Sequence, residues 1–69
     1  MNVRLKTAVV CQRGSEFLVG VDPFGNIKWS TYIYDAWRTR KIEEAKLVAK
    51  ITNSKMVLFN SATGERRPL

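Results

Sequence analysis

Residues 35–52, DAWRTRKIEEAKLVAKIT, form the one stretch that is both long and periodic enough to specify a helix. Ile42, Ala45, Val48 and Ala49 recur at helical spacing, and Leu47 and Ile51 widen the apolar arc. Glu43, Lys46, Lys50 and Asn53 make up the wet face. Glu43 and Glu44 near the start and Lys50 near the end suit the helix dipole. Thr39 is the expected N-cap, since its hydroxyl can accept a first-turn N–H. Three residues on stands Ile42 rather than Glu or Gln, so the reciprocal capping box is missing. Asn53 suits a left-handed C-terminal residue.

Everything before that stretch reads as strands and turns. Residues 3–12 alternate, with Val3, Leu5, Thr7, Val9 and Cys11 on one face and Arg4, Lys6, Ala8, Val10 and Gln12 on the other. Ala8 and Val10 make both faces partly apolar, which favours a central strand. Arg13-Gly14-Ser15 is a turn. Residues 16–22 give a second strand with Phe17, Val19 and Val21 on its apolar face, and Gly20 marks a bulge or a close backbone approach. Asp22-Pro23-Phe24-Gly25-Asn26 is the sharpest turn signal, because Pro presets φ and Gly25 can turn left-handed. A third strand then places Ile27, Trp29 and Thr31 inward, and residues 30–36 read as its bent continuation. After the helix, residues 55–59 form an apolar run of strand length. Residues 61–64 form a turn, and Glu65-Arg66-Arg67 leaves room for a short fifth strand before Pro68.

The expected architecture is α+β, one domain over residues 1–69 with a basic tail at 65–69. A three-stranded antiparallel meander is followed by one helix and a final strand, β-β-β-α-β, with the helix packed on one sheet face. A crossover helix from the third strand predicts a fourth strand beside the first and parallel to it. The other face, bearing Arg4, Lys6, Leu18 and Lys28, would stay open unless another chain covers it.

Several chemistries are poorly served by these residues. The chain contains no histidine, so the commonest general base, the commonest metal ligand and any Ser-His or Cys-His nucleophile pair are missing. Cys11 is the single cysteine, which rules out an internal disulfide and leaves no zinc site of the usual kind. Its position on an apolar strand face points to a buried structural thiol. Glu43 and Glu44 are neighbours on a helix and diverge by about 100°, so they do not make a catalytic pair. The glycines are spaced by turns rather than by a phosphate-cradling motif. No enzyme, no cofactor and no metal are expected. No segment approaches the ~20 apolar residues of a membrane span, and the apolar run at 7–11 is shorter than that of a signal peptide. The expected location is therefore cytoplasmic.

What remains is binding. Twelve Lys and Arg against six Asp and Glu give a net charge of +6, which attracts polyanions or acidic proteins. Arg38, Arg40 and Lys41 cluster at the expected helix start beside Trp37, Tyr32 and Tyr34. Basic residues among aromatics can neutralise phosphates and stack on bases, and these sit at the wrong helix end for the dipole. The structural alternative makes Trp37 core and the arginines its solvated rim. Arg66 and Arg67 in the tail are a second candidate contact. Phe24, apolar at a turn tip, is a candidate for self-association or for a protein partner.

Phe17 to Asp22 (FLVGVD), Ala36-Trp37-Arg38-Thr39, Glu43-Glu44-Ala45 and Val48-Ala49 together resemble small phage- and prophage-encoded proteins of Gram-positive bacteria. The likeness spans roughly residues 16–59, with Trp37 standing where Phe is usual. It implies a phage accessory protein, but that family's function is uncharacterised and no functional residue carries over. The leading expectation is a non-enzymatic binding module for a protein partner. The alternative is a nucleic-acid-binding protein using Trp37, Arg38, Arg40, Lys41, Arg66 and Arg67.

Overall fold

A computed structural model describes residues 7–69 of the chain. Its elements are β1 (Thr7–Arg13), β2 (Glu16–Val21), β3 (Ile27–Ser30), a 3₁₀ turn (Ile33–Asp35), β4 (Arg38–Thr39), α1 (Ile42–Thr52), β5 (Lys55–Asn60) and β6 (Arg66–Pro68). The fold is α+β, with one helix among the described residues and an antiparallel sheet of six strands in the order β3-β2-β1-β5-β6, β4 also pairing with β1. The expected meander β1-β2-β3 and the short closing strand β6 are both present. The expected strand contribution of residues 3–6, with Arg4 and Lys6, lies outside the described residues.

The final long strand lies beside β1, as the crossover argument requires, but runs antiparallel to it rather than parallel. The cause is β4. Residues expected to lead into the helix instead form a strand that pairs antiparallel with β1, Val9 opposite Thr39 and Val10 opposite Arg38. This reverses the chain before the helix begins, so α1 connects two strands that are parallel to each other and flank β1. Thr39 is therefore a strand residue and Lys41 takes the N-cap position, without a side-chain cap. Thr39 still organises the turn: its Oγ1 accepts the Lys41 N–H at 3.1 Å and donates to Glu44 Oε1 at 2.6 Å. At the other end Asn53 is left-handed (φ 54°), as expected. The Ser54 N–H to Ala49 carbonyl bond (2.8 Å) closes a Schellman-type end.

Both sheet faces are packed, which corrects the expectation of one open face. On the helix side, Cys11, Leu18 and Ala49 form a buried cluster, with Trp29, Trp37, Val48 and Met56 packed against it. On the opposite side, Val10, Phe17, Ile33, Ala36, Val57 and Phe59 form a second core. The 3₁₀ turn supplies the cover there, through Ile33 and Ala36. The pairing of Phe17 with Ser30 and Leu18 with Trp29 puts Leu18, not Phe17, on the helix side. Between Leu18 and Gly20 the register shifts, so Gly20 does mark a bulge; no atom lies within 4 Å of where its Cβ would stand, so no close approach is involved.

Beyond that bulge β2 and β3 form a two-stranded arm, since β4 occupies the β1 edge that β2 would otherwise continue along. Val21, Ile27 and Phe24 are exposed on the arm, Phe24 at 89%. Asp22 Oδ1 accepts the Phe24 and Asn26 N–H groups at 2.9 and 2.8 Å. Those bonds, that from Asn26 foremost, hold the Asp22 carboxyl below its usual pKa.

The helix meets the sheet through small residues. Ala45 and Ala49 are buried, whereas Leu47 and Ile51, which the periodicity assigned to the apolar arc, are exposed. Adding bulk at the close approach should force the helix away from the sheet. Ala45→Leu is expected to lose about 1–3 kcal/mol of unfolding free energy, whereas Ile51→Lys should stay within about 0.5 kcal/mol of the parent. Urea denaturation of the two variants measures both.

Candidate binding surface

The face opposite the helix carries a row of rings. Tyr32 and Tyr34 lie 5.4 Å apart between centroids, and Tyr34 meets Phe59 edge-on at 5.3 Å. Phe59 is 1% exposed and belongs to the core, while Tyr32 and Tyr34 are 59% and 45% exposed. The row thus runs from buried to open. Local bonds fix it: the Tyr34 hydroxyl donates to the Ser61 carbonyl at 3.4 Å, and the Tyr32 N–H donates to Ser30 Oγ at 3.0 Å.

Two guanidinium groups reach this aromatic core from different strands. Arg38, on β4, lies 5.7 Å from the Phe59 ring centroid and donates to the Tyr34 carbonyl at 3.0 Å. Arg66, on β6, is the cross-strand partner of Phe59, and its guanidinium lies 5.5 Å from the Phe17 ring, past the two intervening strands. A cation over a ring face gains roughly 0.5–1 kcal/mol at an exposed site, enough to orient each side chain without burying its charge. Both arginines are exposed, and among the described residues neither pairs with a carboxylate.

The six residues singled out from the sequence therefore separate. Arg38 and Arg66 share this face, although they stand 28 positions apart and belong to different candidates in the sequence. Trp37 points the other way and packs among Cys11, Leu18 and Ala49, which is its structural reading. Adjacent strand residues face opposite sides, so a strand at 38–39 cannot present Trp37 and Arg38 together. Arg40 follows β4 and Lys41 precedes the first helical residue; both are exposed. Arg67 faces the helix side opposite Leu58 and is paired with Glu65 at 3.1 Å. Tyr32 and Tyr34 stand out in the sequence as aromatics beside the basic cluster, but their approach to Phe59 depends on the 3₁₀ turn, where a bent continuation of the third strand was expected.

Two other features lie elsewhere. Cys11 is fully buried, and burial pushes its thiol pKa up, with a smaller opposing effect from Ser54. A depression of about 560 Å³ lies where the β1–β2 turn, the helix end and the last residues meet, with Arg13, Lys55 and Met56 in its lining. Arg13 is stacked on Trp29 at 4.3 Å. Among the described residues no group of three or more His, Cys, Asp or Glu side chains is placed to hold a metal ion, and no helix is long and apolar enough to cross a membrane.

Comparison with protein-family models, with curated proteins and with solved structures gives no match. The assignment of roles therefore rests on geometry. If Trp37 is core and Lys41 is surface, truncation separates them. Trp37→Ala should lose about 2–4 kcal/mol of unfolding free energy, and Lys41→Ala should change it by less than about 0.5 kcal/mol, both read from urea denaturation.

Proposed function

We propose that this chain is a non-enzymatic binding module for single-stranded nucleic acid, and that Tyr32, Tyr34, Arg38 and Arg66 form its binding surface. The observation that supports the reading is that Arg38 over Phe59 and Arg66 over Phe17, neither paired with a carboxylate among the described residues, lie against one aromatic core from which the Tyr34–Tyr32 row opens to solvent. Guanidinium groups bind phosphate bidentately. Exposed rings accept bases by stacking, which tolerates any sequence. Splayed bases are needed for such stacking, so a single strand suits the surface better than a duplex. The net charge of +6 adds long-range attraction to the same ligand. Arg40 and Lys41, exposed and a short way along the chain from Arg38, extend the positive surface.

A protein partner is the second reading, and its supporting observation is the β2–β3 arm with Val21, Phe24 and Ile27 exposed. Such a tip suits an apolar groove on another protein. A phage accessory role fits either reading and rests on the sequence resemblance.

Binding to a labelled single-stranded oligonucleotide should weaken steeply with salt. Each phosphate contact contributes roughly 0.7 to the slope of log affinity against log salt, so Arg38→Ala with Arg66→Ala should flatten it by about 1.4. Tyr32→Ala should weaken binding by about 1–3 kcal/mol at fixed salt. Lys46→Ala with Lys50→Ala, on the helix, should leave the slope nearly unchanged. Failure of the parent protein to bind single-stranded DNA or RNA at low salt overturns the proposal.

A further inference from the structure

The two edges of the sheet are unlike. β6 is three residues long, carries Arg66 and Arg67, and ends in Pro68, which has no N–H to donate. Short length, charge and proline are the usual means of blunting an edge. β3 has four residues, Ile27 to Ser30, a single charge at Lys28 and no proline, and among the described residues no strand pairs with its outer edge. The Asp22 N–H donates to the Asn26 carbonyl at 2.9 Å, which fixes Asn26 as inward-bonding. From there the alternation of an antiparallel pair turns Lys28 and Ser30 towards β2, and leaves the amides of Ile27 and Trp29 pointing outward.

We propose that β3 pairs antiparallel with β3 of a second copy of this chain, across a two-fold axis at Trp29. Charge and backbone geometry select that register. Centring on Lys28 would set two ammonium groups directly opposite each other. Centring on Ile27 would run Trp29 against Gly25, which lies in the turn with φ 85° and cannot extend a strand. Centring on Trp29 places Lys28 of each copy opposite Ser30 of the other. Ser30 Oγ lies 3.3 Å from Asp35 Oδ2, so the ammonium group meets a carboxylate. Among the described residues, neither Lys28 nor Asp35 has an ion-pair partner within its own chain. The two-fold axis makes the complementary contact twice. The two Trp29 side chains face each other on the helix side, where each is already held by Arg13 at 4.3 Å. Ile27 of each copy falls opposite Thr31 of the other. The inference does not rest on the nucleic-acid reading, since Lys28, Trp29 and Asp35 are not among the proposed ligand contacts.

Sedimentation equilibrium over a wide concentration range, at about 0.15 M salt to screen the shared positive charge, tests the pairing. A monomer–dimer equilibrium is expected. Lys28→Glu alone and Asp35→Lys alone should each raise the dimer dissociation constant at least about tenfold, because each sets like charges opposite one another. The combined swap should return it to within about threefold of the parent. Both residues are exposed, and circular dichroism checks that the variants fold. In the parent protein the Trp29 amide should exchange with solvent more slowly as protein concentration rises. A protein that stays monomeric at every concentration overturns the proposal. So does a dimer unchanged by the single substitutions, a swap that fails to restore it, or a Trp29 amide indifferent to concentration.

Discussion

Strand β1 is hydrogen-bonded along both edges, and every other element takes its position from that double pairing. On one side β5 follows it from Thr7 to Gln12 without interruption. On the other side two strands share the edge: β2 holds Gln12 and Arg13, and β4 holds Val9 and Val10. Buried backbone groups must find partners, and Ala8, Val9, Val10 and Cys11 are all buried. Once β2 leaves at its bulge, some other segment has to satisfy the vacated edge. β4 does so, and in doing so it reverses the chain, aims the helix and frees the β2–β3 arm.

The same geometry divides the molecule's labour. Alternation along β1 sends Cys11 to the helix and Val10 to the opposite face, and the division continues at Trp37, just before β4, and Arg38, on it. The helix side is packing, closed by alanines that let α1 lie near the sheet. The opposite side keeps its core beneath Tyr34, Arg38 and Arg66, so that side chains anchored on buried rings still reach solvent. Anchoring limits the freedom a ligand must remove on binding, the general advantage of a preorganised surface.

Much of this was legible in the residues. The periodicity of Ile42, Ala45, Val48 and Ala49 located the helix, Asn53 its end, and Asp22 to Asn26 the turn between β2 and β3. Alternation in residues 3–12 marked a strand, and Ala8 and Val10 on its second face favoured the central place that β1 takes. The strand at 38–39 was not legible, because two residues carry no period and Thr39 reads equally well as a helix cap. That omission accounts for the reversed orientation of β5. It also accounts for the mixed fate of the candidate site, since grouping Trp37 with Arg38 assumed a helical or irregular backbone. Arg66 and Arg38 reach the same core only through strand order, and β6 meets Phe59 by a pairing that no local pattern encodes. Spacing alone adds Leu47 and Ile51 to the apolar arc, but the helix approaches through Ala45 and Ala49 and leaves that flank in solvent.

The division between a packing face and a binding face is most directly tested by nuclear magnetic resonance, titrating a short single-stranded oligonucleotide into the labelled protein. The Nε–H signals of Arg38 and Arg66 and the ring signals of Tyr32 and Tyr34 should shift together and saturate, while the Trp37 indole N–H holds its place. Shifts led by Trp37, or confined to the helix lysines Lys46 and Lys50, would contradict the account.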